Sequence, residues 1–257
     1  MGDRMISHKW LLALSILAAA PVAGAKTQPM PIHAEFATPT DRYPHNIMGN
    51  LPAHTDLVVT LQACAGCPNR PTTLTVRLPD PLVFEDVTPR LADLNRDGVN
   101  EIIVVESHQQ RGSRLAVWEV ALHQGQPELR RGATTDFIGT RFRWLAPIGA
   151  ADLDGDGRVE IAYVEKPHLD KVLRIVRREG AKLRPVASMR GVTNHAIGQE
   201  TIQGRIALCD GRPTIIALND AGDRVLAIRL ADGKLTARPV ATTRQPHQLD
   251  PVPPCGN

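Results

Sequence analysis

The sequence predicts an all-β protein, a β-propeller of about four blades with four antiparallel strands in each. Three observations carry this. Apolar residues fall in short runs, rich in β-branched types and bounded by Gly, Pro, Asn or Asp. The same order of strand and turn recurs along the chain. Beyond the N-terminus no stretch has the period of an amphipathic helix.

The composition agrees. The chain has 257 residues, of which 42% are hydrophobic, 22% charged and only 4% aromatic. Its core must therefore be mostly Val, Ile, Leu and Ala. The 21 prolines and 20 glycines are spread throughout, which favours many short elements joined by turns. Net charge is +3 with acids and bases intermixed, so no basic face marks a nucleic-acid binder. The densest basic stretch, Arg174-Ile-Val-Arg177-Arg178, alternates with apolar residues and reads as the solvent face of a strand.

The N-terminus reads as a targeting signal. Arg4 and Lys9 precede the apolar run from Trp10 to Pro21, and Ala23-Gly24-Ala25 follows as a small-x-small cleavage site. The run is shorter than the about 20 residues that cross a bilayer. The expected organisation is a signal peptide over 1–25 and a single domain over 26–257, without stable membrane insertion, in the periplasm or secreted. Export sets an oxidising context for Cys64, Cys67, Cys209 and Cys255. Of the three possible pairings, Cys64–Cys67 closes a tight loop and Cys209–Cys255 ties the tail to the body. The prolines that follow Cys67 start no helix, and no second ligand pair is spaced for zinc, which argues against a redox or zinc role.

The repeat begins weakly with MGNLPAHTDLVVTLQ, TTLTVRLPD and PLVFEDVTP. It is clear from Arg90 (RLADLNRDGVNEIIVVES, SRLAVWEVALHQG, QPELRRGATT) and from Ile148 (IGAADLDGDGRVEIAYVEKP, KVLRIVRREG, KLRPVASMRG). It returns from Arg205 (RIALCDGRPTIIALNDAG, RVLAIRLADG, KLTARPVATT). Each unit offers four strands, and one such sheet cannot bury both faces alone. Packing the sheets face to face around an axis resolves this and defines a propeller. A sandwich would not explain the repetition.

Two loops stand out. Asp93-Leu-Asn95-Arg-Asp97-Gly98-Val99-Asn-Glu101 and Asp152-Leu-Asp154-Gly-Asp156-Gly157-Arg158-Val-Glu160 align position by position. Side-chain oxygens fall at positions 1, 3, 5 and 9, glycine falls at 6, and position 7 can offer its carbonyl. These are hard oxygen donors, the set that Ca²⁺ accepts at about 2.3–2.6 Å. Neither loop holds His or Cys for zinc. Position 12 is Val104 or Tyr163, and strands follow each loop, which excludes an EF-hand.

At these residues the chain resembles the FG-GAP/VCBS repeat family, known for β-propeller blades including those of integrin α-subunits. Its mark is a D-x-[DN]-x-DG-x-x-[DE] loop joining the first two strands of a blade. The match is strong at 93–101 and 152–160; the unit around Cys209 keeps only Asp210-Gly211, and the N-terminal unit keeps no acids. The resemblance implies one or two Ca²⁺ ions in loops between strands 1 and 2 of two blades. It implies first-site ligands Asp93, Asn95, Asp97, Val99 and Glu101, and second-site ligands Asp152, Asp154, Asp156, Arg158 (through its carbonyl) and Glu160. The second loop, with one more carboxylate, should bind more tightly.

No G-x-S-x-G, H-E-x-x-H or phosphate-loop motif is present, and no catalytic residue is assigned. Asp41-Arg-Tyr43-Pro-His45-Asn46 and Asn194-His195 are placed to line one mouth of a propeller channel. Trp118 and Trp144 read as packing residues. The expected function is a calcium-stabilised scaffold that binds a protein or glycan partner. The alternative is a hydrolase or lyase acting at the channel mouth around His45 and His195.

Overall fold

A computed structural model describes residues 29–63, 71–249 and 255. The expected signal peptide and the Cys64–Cys67 pair lie outside them. Among the described residues no helix is long and apolar enough to cross a membrane. Among the described residues every regular element is a β-strand.

The N-terminal unit is β1 (Met30–Thr40), β2 (Ala53–Gln62) and β3 (Thr72–Arg77), with β2 pairing antiparallel to both neighbours. The short β4 (Leu82–Phe84) then ties this unit to the next: Phe84 pairs with His54, and β4 pairs with β6. The second unit is a meander of β5 (Arg90–Ala92), β6 (Glu101–His108), β7 (Gly112–His123) and β8 (Gln126–Thr134). The third is β9 (Leu145–Ala151), β10 (Glu160–Glu165), β11 (Val172–Glu179) and β12 (Lys182–Arg190). After β13 (Val192–Thr193) comes the fourth: β14 (Arg205–Cys209), β15 (Arg212–Asn219), β16 (Arg224–Ala231) and β17 (Lys234–Thr242).

The strand pattern within units two to four is the one read from the sequence. The N-terminal unit departs from it. Its first strand is β1, upstream of the expected start, so Asp41–Asn46 lies inside the unit and connects β1 to β2, not ahead of it. Pro31 and Pro39 weaken the strand signal of MPIHAEFATPT. They are tolerated because β1 pairs along one side and carries a register shift between Pro31 and His33.

Three cores stack the units. Leu57, Val59 and Phe84 meet Ile102, Val104 and Trp118 between the first and second. Ile103, Val105 and Val117 meet Trp144, Ile161 and Tyr163 between the second and third. Ala162, Val164 and Leu173 meet Ile215, Ala217 and Ile228 between the third and fourth. Strand β6 is thus covered on both faces, and seven of its eight residues, EIIVVES, are buried. Such a strand needs a continuous apolar run, not an alternating one. Each of these aliphatic side chains contributes about 1.5–3 kcal/mol by burial. The outer strand β17 is mostly exposed and β8 has a single buried residue, as their polar sequences require. Trp118 and Trp144 are packing residues, 5% and 2% exposed. The architecture is all-β and propeller-like.

Two connections join the first unit to the fourth. Gly198 N–H donates to the Ile47 carbonyl (3.0 Å), and Asn50 N–H donates to Glu200 Oε1 (3.3 Å). The remaining face of the fourth unit, Ile216, Leu218 and Val225, packs under Leu249 and Cys255 of the tail. The expected Cys209–Cys255 disulfide fixes that tail.

Candidate functional site

The two acidic loops connect β5 to β6 and β9 to β10, the position expected for them. They share one hydrogen-bonding scheme. Position 1 accepts from the position 6 amide: Asp93 Oδ2 from Gly98 (2.8 Å), Asp152 Oδ2 from Gly157 (3.0 Å). Position 3 accepts from position 5, Asn95 from Asp97 (2.9 Å) and Asp154 from Asp156 (3.2 Å). Position 5 accepts from position 7, Asp97 from Val99 (2.8 Å) and Asp156 from Arg158 (2.9 Å). Position 9 closes the loop by accepting the position 2 amide, Glu101 from Leu94 (2.7 Å) and Glu160 from Leu153 (2.8 Å). Positions 4 and 6 are left-handed in both, with φ of 59° at Arg96, 80° at Gly155, 85° at Gly98 and 90° at Gly157. The Asp/Asn/Gly spacing therefore encodes a specific loop, with each short side chain folding the backbone ahead of it.

Glu101 and Glu160 sit at strand starts and are buried, 4% and 0% exposed. Burial raises both above the ordinary glutamate range, opposed by the Leu94 and Leu153 amides. Nearby cations share the load. Arg177 on β11 reaches Asp154 Oδ2 (3.2 Å) and Asp156 Oδ2 (2.9 Å), and also contacts Glu160. Arg178 reaches Glu119 (2.6 Å) and Glu101 (3.4 Å). Arg96, in the first loop, crosses to Asp152 in the second (2.8 Å). Arg174 pairs with Glu165 (2.6 Å). The basic run 174–178 is therefore not the solvent face expected of it. Arg177 is a half-buried counter-ion to the second acidic loop and Arg178 to Glu101 of the first, Arg174 pairs with Glu165 at the end of β10, and Arg96 is the cation that joins the two loops.

The donor set of the second loop suits a hard divalent cation. Asp152, Asp154 and Asp156 each place a carboxylate oxygen within 4.8 Å of the others. Glu160 lies behind them, already engaged by Arg177 and the Leu153 amide. An ion there would share Asp154 and Asp156 with Arg177. In the first loop Asn95 turns its Nδ2 onto Glu101 Oε1 (2.9 Å), so part of the donor set is spent internally. Val99 and Arg158 enter through their amides. The Arg158 side chain points to Glu179 (3.8 Å).

Away from the loops, the structure gathers histidines. His45 Nδ1 meets Glu85 Oε1 at 2.6 Å, and Glu85 has 3% of its side chain exposed. The other Glu85 oxygen accepts from Ser107, whose Oγ lies 2.6 Å from that of Ser113. His195 is buried; its Nε2 lies 2.8 Å from the Gln199 carbonyl, and its Nδ1 lies 2.8 Å from His168 Nε2. A carbonyl only accepts, so His195 carries its proton on Nε2. Burial lowers its pKa, and burial together with His195 and His45 pushes His168 down to about 4. Both rings are neutral at pH 7, so His195 Nδ1 accepts and His168 Nε2–H donates.

His45 and His168 border one cavity of about 230 Å³, together with Ile47, Phe142, Trp144 and Ile197. Of the residues expected at a channel mouth, His45 lines it directly and His195 stands behind it against Trp144, ring centroids 4.9 Å apart. Asp41, Tyr43 and Asn46 line a separate, more open cleft of about 750 Å³. Arg42 turns to the Leu82 carbonyl. Glu85, Phe142 and His168 were missed. The alternation Arg141-Phe142-Arg143-Trp144 was the available signal, aromatic rings interleaved with cations.

Residues 93–163 match the FG-GAP-like repeat model. The match begins at the first Asp of the first acidic loop and ends in β10, just past the second. The chain thus carries an FG-GAP-like repeat, as the loop pattern had implied. No curated protein and no solved structure gives a significant match.

Proposed function

We propose that this protein is an exported, calcium-binding β-propeller of four blades that serves as a binding scaffold for a protein or glycan partner in the periplasm or outside the cell. The observation that carries the reading is the FG-GAP-like repeat together with the shared hydrogen-bond scheme of its two loops. Two copies of one loop, at the same place in successive units, behave as built features of a scaffold. The convergent carboxylates of Asp152, Asp154 and Asp156 support calcium at the second loop first. The N-terminal sequence and the Cys209–Cys255 disulfide support export. An ion that binds only the folded state raises its stability. Calcium is therefore expected to raise the melting temperature, a chelator to reverse the rise, and Asp154→Ala with Asp156→Ala to remove most of it. No response to calcium or chelator would sink the metal reading.

The second reading, a hydrolase or lyase, draws on one observation: His45 is oriented by a buried glutamate beside a cavity. Turnover of esters, glycosides or phosphodiesters, lost in His45→Ala with the fold intact, would favour it over the scaffold.

A further inference from the structure

The cavity beside His45 is assembled from four separate stretches: the β1–β2 connection, the segment before β9, the turn after β10 and the β13–β14 connection. Its walls are ring faces and aliphatic carbon. His45 stacks on Phe142, centroids 4.9 Å apart and planes 15° apart. Trp144 lies parallel to His168, at 6.2 Å and 7°. A void of about 230 Å³ is small, the size of one substituted six-membered ring. Aromatic faces hold such a ring in offset stacks or edge contacts, at centroid distances of about 4.5–7 Å.

Two guanidinium groups stand at the mouth. The Arg141 guanidinium lies 4.4 Å from the centroid of the Phe142 ring, and Arg143, which lines the cavity, gives one N–H to the Phe142 carbonyl (3.2 Å). Among the described residues neither meets a carboxylate within salt-bridge distance, unlike the arginines that brace the acidic loops. Lys166, on the same wall, is already paired with Asp170. Glu85 faces away into Ser107 and His45. Asp170 feels the charge of Arg143 but is held by Lys166, so the two guanidiniums beside this pocket of ring faces have no direct carboxylate partner. Two large apolar side chains, Leu169 and Ile197, stand 57% and 71% exposed at its edge.

We infer that this cavity is a binding site for a small aromatic carboxylate, its ring held against Phe142, Trp144 and the two imidazoles and its carboxylate on Arg143. A guanidinium offers paired N–H groups in the geometry of a carboxylate, and in a partly desolvated site that pairing selects an acid over its neutral isostere. The site lies apart from the acidic loops. Its success or failure is therefore read independently of the calcium response.

The test uses the mature chain with its disulfide intact and three probes: benzoate, benzamide as the uncharged ring, and acetate as the ringless anion. Binding is followed by saturation-transfer NMR and by tryptophan fluorescence. Benzoate is expected to saturate, benzamide to bind about tenfold more weakly, and acetate not to compete. Arg143→Gln should reduce benzoate to the level of benzamide. Ile197→Glu, at an exposed position that leaves folding intact, should abolish benzoate binding while the melting temperature holds. Benzoate that binds no better than acetate, or binds Ile197→Glu as well as wild type, overturns the inference. Should Arg143→Gln fail to fold, the Ile197→Glu comparison decides alone.

Discussion

At Asp154, Asp156 and Glu160 the chain concentrates negative charge around a single guanidinium, that of Arg177, whose side chain is only 12% exposed. Glu160 is fully buried, so removing its partner leaves a carboxylate without a counter-charge. Breaking a buried pair costs about 3–5 kcal/mol; with solvent screening the Asp156 side, the cost here is about 2 kcal/mol. Arg177→Gln is therefore expected to lower the melting temperature in the absence of calcium. Added calcium should then raise it by more than in wild type, because the ion no longer shares its ligands with a resident cation. Equal calcium shifts in the two proteins would show that Arg177 does not compete. The case also shows what was legible at this scale. The Asp/Asn/Gly/Glu spacing is local, and every hydrogen bond internal to one loop spans at most seven positions, so the sequence displays it. Arg177 acts 17 positions from Glu160 and Arg178 acts 77 from Glu101, so their role emerges only from the pairing of strands. The His45 cavity was half visible for the same reason. The sequence marks His45 and His195 for a channel mouth, but the rings that enclose the space come from distant turns.

At the scale of elements, the strands of units two to four were legible because their two-sided burial demands apolar β-branched runs. β1 was not, because an edge strand tolerates proline and alternation. Turns are where one element docks on another, and Gly112 marks one of them. It opens β7 with a φ of +69°, and an added Cβ would meet the Thr140 carbonyl oxygen at 2.3 Å and that of Arg143 at 2.9 Å. The neighbouring bonds confirm the close approach: Ser113 N–H donates to the Arg143 carbonyl (2.9 Å), and Gly139 N–H donates to that of Arg111 (2.8 Å). The segment it holds carries Phe142 and Trp144. Gly112→Ala combines left-handed strain with a backbone clash and should cost about 2–3 kcal/mol. Gly125→Ala supplies the control, since φ is +77° there but nothing lies within 4 Å. It should cost about 1 kcal/mol, the strain alone. Urea denaturation measures both, and equal losses would mean that the Gly112 turn contributes no docking.

Across the whole molecule the described cores join each unit to the next, while the first and fourth units meet through hydrogen bonds at Ile47 and Asn50, so the remaining apolar face of the fourth unit must be covered in another way. The first unit presents β1 and β3, whose outward residues are largely polar. The fourth unit would otherwise expose Ile216, Leu218 and Val225, and it is the tail that covers them, through Leu249 and Cys255. Cys209 is itself part of that apolar face, so the disulfide pins the cover directly onto what it covers. The bond spans 46 residues, for which the chain-entropy model gives about 4 kcal/mol of stabilisation. Cys255→Ala should therefore lower the melting temperature and, well below that temperature, increase binding of a hydrophobic dye as the tail lifts from the fourth unit. The calcium shift should survive, because both acidic loops lie in the second and third units, away from this face. Melting, dye fluorescence and calcium titration on the same variant separate the possibilities. A lower melting temperature with unchanged dye binding would mean that the disulfide acts on the unfolded chain alone. Increased dye binding with calcium response intact would establish the tail as the cover of this face of the fourth unit.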